Sequence, residues 1–125
     1  MAKEIINTKE APAAIGPYVQ AVKCNGILFI SGQLGIDAKT GDLPESVEEQ
    51  AENSLKNLDA IMKEAGTDKS KVLKTTIFLA DMGDFGKVNE IYGNYFEGNN
   101  PARSCYAVVG LPKGGKVEIE CMVEA

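Results

Sequence analysis

Between Ser46 and Gly66 the chain carries a single apolar stripe, in which Val47, Ala51, Leu55, Leu58, Ile61, Met62 and Ala65 recur at helical intervals. Ser46 and Glu49 have the spacing of a capping box, which satisfies free amides of a first helical turn, and Gly66 supplies the stop. A long helix that is apolar along one stripe must bury it, and the flanking segments say against what. Before it, residues 18–23 and 27–31 read as two strands joined at Cys24-Asn25-Gly26, where Asn-Gly is the favoured chemistry of a two-residue hairpin turn. After it, residues 72–80 are rich in Val, Thr, Ile and Phe. The stripe therefore predicts a helix packed on a sheet.

The rest of the chain extends that pattern. Residues 3–7 form a possible short edge strand, while 10–17 and 35–44 read as ordered loops from their Pro, Gly and polar content. Asp84 has the place of an N-cap, and Phe85, Val88, Ile91, Tyr92, Tyr95 and Phe96 trace a second helix ending near Gly98. Residues 104–109 and 117–123 predict two strands with a turn at 110–115 between them. The principal order β-β-α-β-α-β-β, with right-handed crossovers, gives a single α+β domain over residues 1–125: one mixed sheet with two helices on one face. The other sheet face is left uncovered, so a partner surface is expected there.

Composition removes several classes of function. The 125 residues include three cysteines, with no C-x-x-C spacing, and no histidine, which argues against a zinc site or a histidine-based catalyst. A net charge of −5 argues against a broad electrostatic footprint for nucleic acid. The first residues lack the apolar core of a signal peptide, and no stretch approaches a bilayer span, so the expectation is a soluble cytoplasmic protein with no membrane partner.

Alternation assigns the candidate chemistry. Arg103 and Cys105 share one face of their strand; Val117, Ile119, Cys121 and Val123 share one face of the last strand, with Glu118, Glu120, Met122 and Glu124 on the other. If those strands lie close, a guanidinium and a carboxylate border one cleft, an arrangement suited to a small anionic substrate and an activated water. The alternative is an ordinary surface ion pair. Gly32 at a strand end marks either a bulge or close approach of a ligand to backbone amides, and Phe85 and Asn89 stand on one helix face.

Taken together, Ala11-Pro-Ala-Ala-Ile-Gly-Pro-Tyr-Val-Gln20, Ile30-Ser-Gly-Gln33, Thr40-Gly41, Lys74-Thr-Thr76, Asp84-Phe85, Val88-Asn89, Pro101-Ala-Arg-Ser-Cys105, Leu111-Pro-Lys113 and Val117-Glu-Ile-Glu120 closely resemble, in order, the landmarks of the RidA (YjgF, L-PSP endoribonuclease-like) family. The resemblance implies a chorismate-mutase-like fold assembled as a homotrimer with clefts between subunits. It also implies hydrolysis of reactive enamines and imines (2-aminoacrylate/2-iminopropanoate and 2-iminobutanoate) to 2-oxo acids and ammonia, without cofactor or metal. By that resemblance Arg103 clamps the substrate carboxylate, Glu118 positions water, and Tyr18, Ser31, Gly32, Phe85, Asn89 and Cys105 line the cleft, with Arg103 facing Tyr18 of a neighbouring chain. Cys105 has no histidine to activate it, which favours a packing or backbone-contact role. The rival classes are a non-catalytic regulatory module that binds small carboxylates and, less favoured, an endoribonuclease or translation inhibitor. The stretch from Asn89 to Pro101 is shorter than in bacterial members, which bears on the cleft rim and on substrate preference.

Overall fold

Asn25 at φ 55° and Gly26 at φ 78° turn β2 (Ala21–Cys24) back onto β3 (Ile27–Leu34) as an antiparallel hairpin, the positive-φ pair that a two-residue turn of this hand needs. The computed structural model describes residues 2–125. A short strand, β1 (Glu4–Ile6), pairs antiparallel with β2 at the sheet edge. Helix α1 (Val47–Glu64) leads to β4 (Val72–Leu79), and α2 (Phe85–Phe96) leads from β4 to β5 (Ala102–Ala107), which lies parallel to it. The last strand, β6 (Val117–Glu124), inserts antiparallel to both neighbours, and the sheet order is β1-β2-β3-β6-β4-β5.

Both helices cover one face, as the stripe predicted. Leu55, Leu58, Ile61 and Met62 of α1 and Val88, Tyr92 and Phe96 of α2 are buried with Leu28, Ile30, Ile77, Leu79 and the alternate residues Val117, Ile119, Cys121 and Val123 of β6. Each fully buried side chain of this size contributes about 1.5–3 kcal/mol relative to exposure. On the opposite face Ile5, Phe29, Tyr106 and Met122 are exposed apolar groups. Among the described residues no helix is long and apolar enough to cross a membrane.

The α1 termini form as the sequence predicts. Ser46 Oγ accepts from the Glu49 amide at 3.1 Å, and Gly66, at φ 79°, closes the helix with Thr67 N–H donating to the Met62 carbonyl. Asp84 differs: it makes no side-chain cap. Instead Asp81 accepts from the Gly83 amide and caps a 3-10 turn at Met82–Asp84, out of which α2 continues. At its other end α2 stops at Glu97 (φ 52°) and Gly98 (φ 86°), and Lys69 Nζ donates to the Tyr95 carbonyl at 2.8 Å. The short connection to Pro101 is thereby tied down.

Strand boundaries move in β5, β2 and β3. Strand β5 begins two residues earlier than expected and places Arg103 inside the ladder, opposite Thr75. Strand β2 begins at Ala21 and not at residue 18, and β3 runs on to Leu34 through an irregularity between Ile30 and Gln33. The last two strands are not neighbours, because β4 lies between them. A chain leaving β5 parallel to β4 has to cross the end of β4 to run antiparallel, and it enters the gap beside β3.

Four polar side chains of α1 hold the end of β3 and the chain that follows it. Ser54 Oγ donates to the Gln33 carbonyl (2.7 Å), Asn57 to those of Leu34 (3.2 Å) and Ile36 (2.9 Å), and Asn53 to that of Gly35 (3.2 Å). Gln50 donates to the Pro44 carbonyl and accepts from the Lys116 amide. This satisfies backbone groups that leave the ladder where the strand ends. The helix comes so close that a Cβ on Gly35 would stand 2.2 Å from the Gln50 carbonyl oxygen.

Candidate active site

Arg103 lies on the edge strand β5 in register with Thr75, whose β6 neighbour is Cys121. Thr75 and Cys121 are buried under the helices, so Arg103 points to the helix side of the sheet. There its Nη1 donates to Asn89 Oδ1 at 2.7 Å, and its guanidinium carbon sits 5.4 Å from the Phe85 ring centroid and 5.1 Å from that of Tyr92. Phe85, Asn89 and Tyr92 fall at successive helical intervals, which puts all three on the α2 face nearest β5. Tyr92 is fixed in turn, its hydroxyl bonded to that of Thr75 at 2.6 Å. A guanidinium has five N–H donors, and a single amide acceptor with two ring faces orients the group while leaving donors for a carboxylate.

Cys105 follows on the same face as Arg103. Burial pushes its thiol pKa up, against a smaller downward pull from Arg103. The group is therefore a thiol at neutral pH, in keeping with the packing role the sequence favoured.

Glu118 belongs to the other sheet face. Its register partners are Leu34 on β3 and Phe78 on β4, out of phase with the buried Ile119 and Ile77. Its carboxyl lies against Gly32, where a Cβ would come within 2.8 Å of Glu118 Cδ and 3.1 Å of Oε2. Desolvation raises the Glu118 pKa above the ordinary carboxylate range, and the charge of Glu120 on the same strand face raises it further. Tyr18, Gly32 and Glu118 line one cleft of about 630 Å³, together with Pro12, Ile15 and Lys113. Lys113 holds φ 58° in the turn before β6.

Ser31 does something other than line that cleft. Its Oγ donates to the Val19 carbonyl at 2.7 Å and its amide to the Gln20 carbonyl at 2.9 Å, which anchors the segment bearing Tyr18 to β3. The expected residues thus fall into two groups. Arg103, Asn89, Phe85 and Cys105 gather on the helix side; Tyr18, Gly32 and Glu118 gather on the open side, with Ser31 behind them. One chain does not carry Arg103 and Glu118 into one cleft: β4 separates their strands, their register rows are three residues apart, and they point to opposite faces. Among the described residues no group of Cys, Asp and Glu is arranged to hold a metal ion.

Thr75 and Tyr92 belong to the site without being among the residues expected there, and Gln20 is more than a motif position. Tyr92 carried a usable signal, since it lies one helical step beyond the Phe85 and Asn89 pair. Thr75 carried none, because only strand pairing brings it under Tyr92.

Comparison with known proteins gives a consistent result. Residues 8–125 match the family model described as Endoribonuclease L-PSP. Reactive Intermediate Deaminase A, chloroplastic, of Arabidopsis thaliana is 54% identical over 121 residues, 96% of this chain and 65% of that protein, so the chain spans somewhat less than two thirds of that relative. The 2-iminobutanoate/2-iminopropanoate deaminase of Mus musculus is also 54% identical, over 96% of this chain and 90% of its own length. Among solved structures, the Rid-family protein YyfA of Yersinia pestis superposes with a TM-score of 0.97 at 51% identity, covering 99% of this chain and 100% of that one. Escherichia coli TdcF with bound serine superposes at 0.94 with 42% identity, covering 98% of each chain.

Proposed function

The chain belongs to the Endoribonuclease L-PSP family, the RidA family whose landmarks its sequence carries, and from that premise we infer that it is a hydrolase deaminating 2-iminobutanoate and 2-iminopropanoate to the corresponding 2-oxo acids and ammonia. The observation that carries the reading is the caged guanidinium of Arg103, held by Asn89, Phe85 and Tyr92 with donors free for a small carboxylate. The serine bound to TdcF is a small carboxylate of that kind.

In this mechanism Arg103 clamps the substrate carboxylate and Glu118 holds the attacking water. Water oxygen bonds to the imine carbon while its proton passes to Glu118, and Glu118 delivers that proton to the imine nitrogen, which becomes the amine of a neutral carbinolamine. The carbinolamine then collapses: Glu118 takes the hydroxyl proton as the carbonyl forms and passes it to the departing nitrogen, so that the C–N bond breaks, ammonia leaves and Glu118 is again a carboxylate. The imine carbon is already electrophilic, so orientation and a proton relay suffice. A carboxylate whose pKa is raised by desolvation suits both halves of that relay. RNA cleavage has less to draw on in a chain of net charge −5 without histidine.

We further propose a homotrimer in which the Arg103 group of one chain meets the Tyr18, Gly32 and Glu118 cleft of its neighbour. Two observations support it: the two groups lie on opposite faces of one sheet, and the open face exposes Ile5, Phe29, Tyr106 and Met122.

The test supplies the imine from a threonine dehydratase and follows 2-oxobutanoate formation with and without this protein. Faster release is expected; unchanged decay rejects the enzyme and leaves a carboxylate-binding module. Subunit mixing tests the shared site. Arg103→Ala and Glu118→Gln, each inactive alone, should together recover about a quarter of the parental sites in randomly mixed trimers of cyclic symmetry. Confirmed mixed trimers with no recovery would exclude the shared arrangement.

A further inference from the structure

Gln20 is 2% exposed, and its side chain makes four hydrogen bonds to one irregular segment. Its Oε1 accepts from the Thr8 amide at 2.8 Å, while Nε2 donates to the carbonyls of Thr8 (3.0 Å), Pro12 (2.9 Å) and Ala11 (3.3 Å). The Gln20 main-chain carbonyl accepts the Ser31 amide, one residue before Gly32. Thr8, Ala11 and Pro12 line the cleft that also contains Tyr18, Gly32 and Glu118. A single residue therefore joins the outer wall of the cleft to its floor.

Packing alone does not account for glutamine at this position. An apolar side chain of equal volume would bury without the cost of desolvating an amide. That amide instead replaces secondary structure for residues 8–12, which lie outside any helix or strand, by pairing the backbone groups of Thr8, Ala11 and Pro12 on the side of the segment turned toward the sheet. Their local support is slight: the Glu10 amide donates to Thr8 Oγ1 at 3.2 Å.

We propose that Gln20 is a positioning residue for imine hydrolysis, holding the wall of residues 8–12 over the Tyr18 and Glu118 side of the site so that the attacking water is confined there. The inference rests on the function proposed above. It predicts that loosening the wall slows the chemical step and leaves carboxylate capture by Arg103, on the other sheet face, nearly unchanged.

Gln20→Met keeps the volume and removes every side-chain bond. In the assembled variant, the Thr8 amide should exchange its hydrogen about tenfold faster, the scale of one net hydrogen bond, while amides of β3, β4 and β6 keep parental protection. The kcat should fall about tenfold or more, with the Kd for the product 2-oxobutanoate within about threefold of the parent. Gln20→Glu should reproduce the kcat loss, because a carboxylate cannot donate to the three carbonyls. Parental kcat in Gln20→Met overturns the proposal. So does a kcat loss matched by lost protection throughout the sheet, which would make Gln20 a general stabiliser. Were the parent itself inactive, the function reading would fall, and exchange at residues 8–12 would still decide whether Gln20 holds the wall.

Discussion

Two glycines three positions apart should respond to alanine in opposite ways, and the difference follows from what each new methyl would meet. At Gly32 the Cβ would stand 2.8 Å from Cδ, 3.0 Å from Cγ and 3.1 Å from Oε2 of Glu118, the far end of a flexible side chain. Glu118 can rotate away at a cost of about 1 kcal/mol, and the stiffer unfolded chain offsets about 0.4–1 kcal/mol of that. The melting temperature of Gly32→Ala should therefore stay within about 4 °C of the parent. Activity should not follow it. A carboxyl displaced by roughly 1 Å no longer holds water against the imine carbon, and misplacements of that size cost about a hundredfold in rate.

At Gly35 the Cβ would lie 2.2 Å from the oxygen, 2.3 Å from Cα and 2.5 Å from the carbonyl carbon of Gln50, all main chain of α1. Relief requires the helix to retreat by about 1 Å or more to ordinary van der Waals contact, and Ser54, Asn57, Asn53 and Gln50 lose or lengthen their bonds to residues 33–36, 44 and 116. With each net bond contributing about 0.5–1.5 kcal/mol, the loss is about 3 kcal/mol or more, a fall in Tm of roughly 10 °C. Thermal denaturation by circular dichroism and the coupled dehydratase assay separate the two cases. Parental kcat in Gly32→Ala would show that the Glu118 carboxyl is not used where it sits; parental Tm in Gly35→Ala would refute the close approach of α1 to the strand end.

Arg103→Lys should cut kcat/KM about a hundredfold with Tm nearly unchanged, because an ammonium cannot reproduce the two-bond clamp or lie across the Phe85 and Tyr92 rings in the same way; activity within about twofold of the parent would make Arg103 an ordinary surface cation. The pH profile tests Glu118, whose folded pKa is raised above 4.5 by desolvation and then by Glu120. A raised carboxyl pKa means that the folded state favours the protonated form, so this contribution to stability is present below 4.5 and lost as pH rises through the folded value. Glu118→Gln should accordingly gain stability over the parent in urea at neutral pH and none in acid, and the parental kcat should fall on an acid limb as the Glu118 carboxylate is protonated; the opposite sign of the stability change would contradict the desolvated environment.

The features that could be read from the sequence were those with local causes. The Ser46 and Glu49 spacing, the stripe from Val47 to Met62 and the Asn25-Gly26 turn each act within a few residues, and each appears where expected. Side-chain parity within a strand was equally readable: Glu118 opposes Ile119 whatever the neighbours are. Neighbour identity is non-local. Nothing in residues 101–124 signals that β4 lies between β5 and β6, and without that register the relative phase of Arg103 and Glu118 stays open. Asp84 misled because Asp81, three residues earlier, offers the same carboxylate to the same chain reversal. The polar ladder of α1 did leave a trace, since Gln50, Ser54 and Asn57 recur at helical intervals beside the apolar stripe.

The separation of Arg103 from Glu118 within a chain has a physical rationale. Side by side, a guanidinium and a carboxylate form two parallel hydrogen bonds and quench each other. The clamp would then lack donors for a substrate carboxylate, and the glutamate pKa would be pulled below its ordinary value, making it a weaker base. In this fold Arg103 is instead oriented by a neutral amide and two rings, and Glu118 is desolvated against a glycine with another carboxylate nearby. Each group retains the capacity that imine hydrolysis requires of it. If neighbouring subunits bring the two together, a bound imino acid can stand between them, its carboxylate on the guanidinium and its imine carbon toward the water on Glu118. The substrate then occupies the space in which the two side chains would otherwise pair, and the proposed assembly is part of the site's electrostatics as well as its shape.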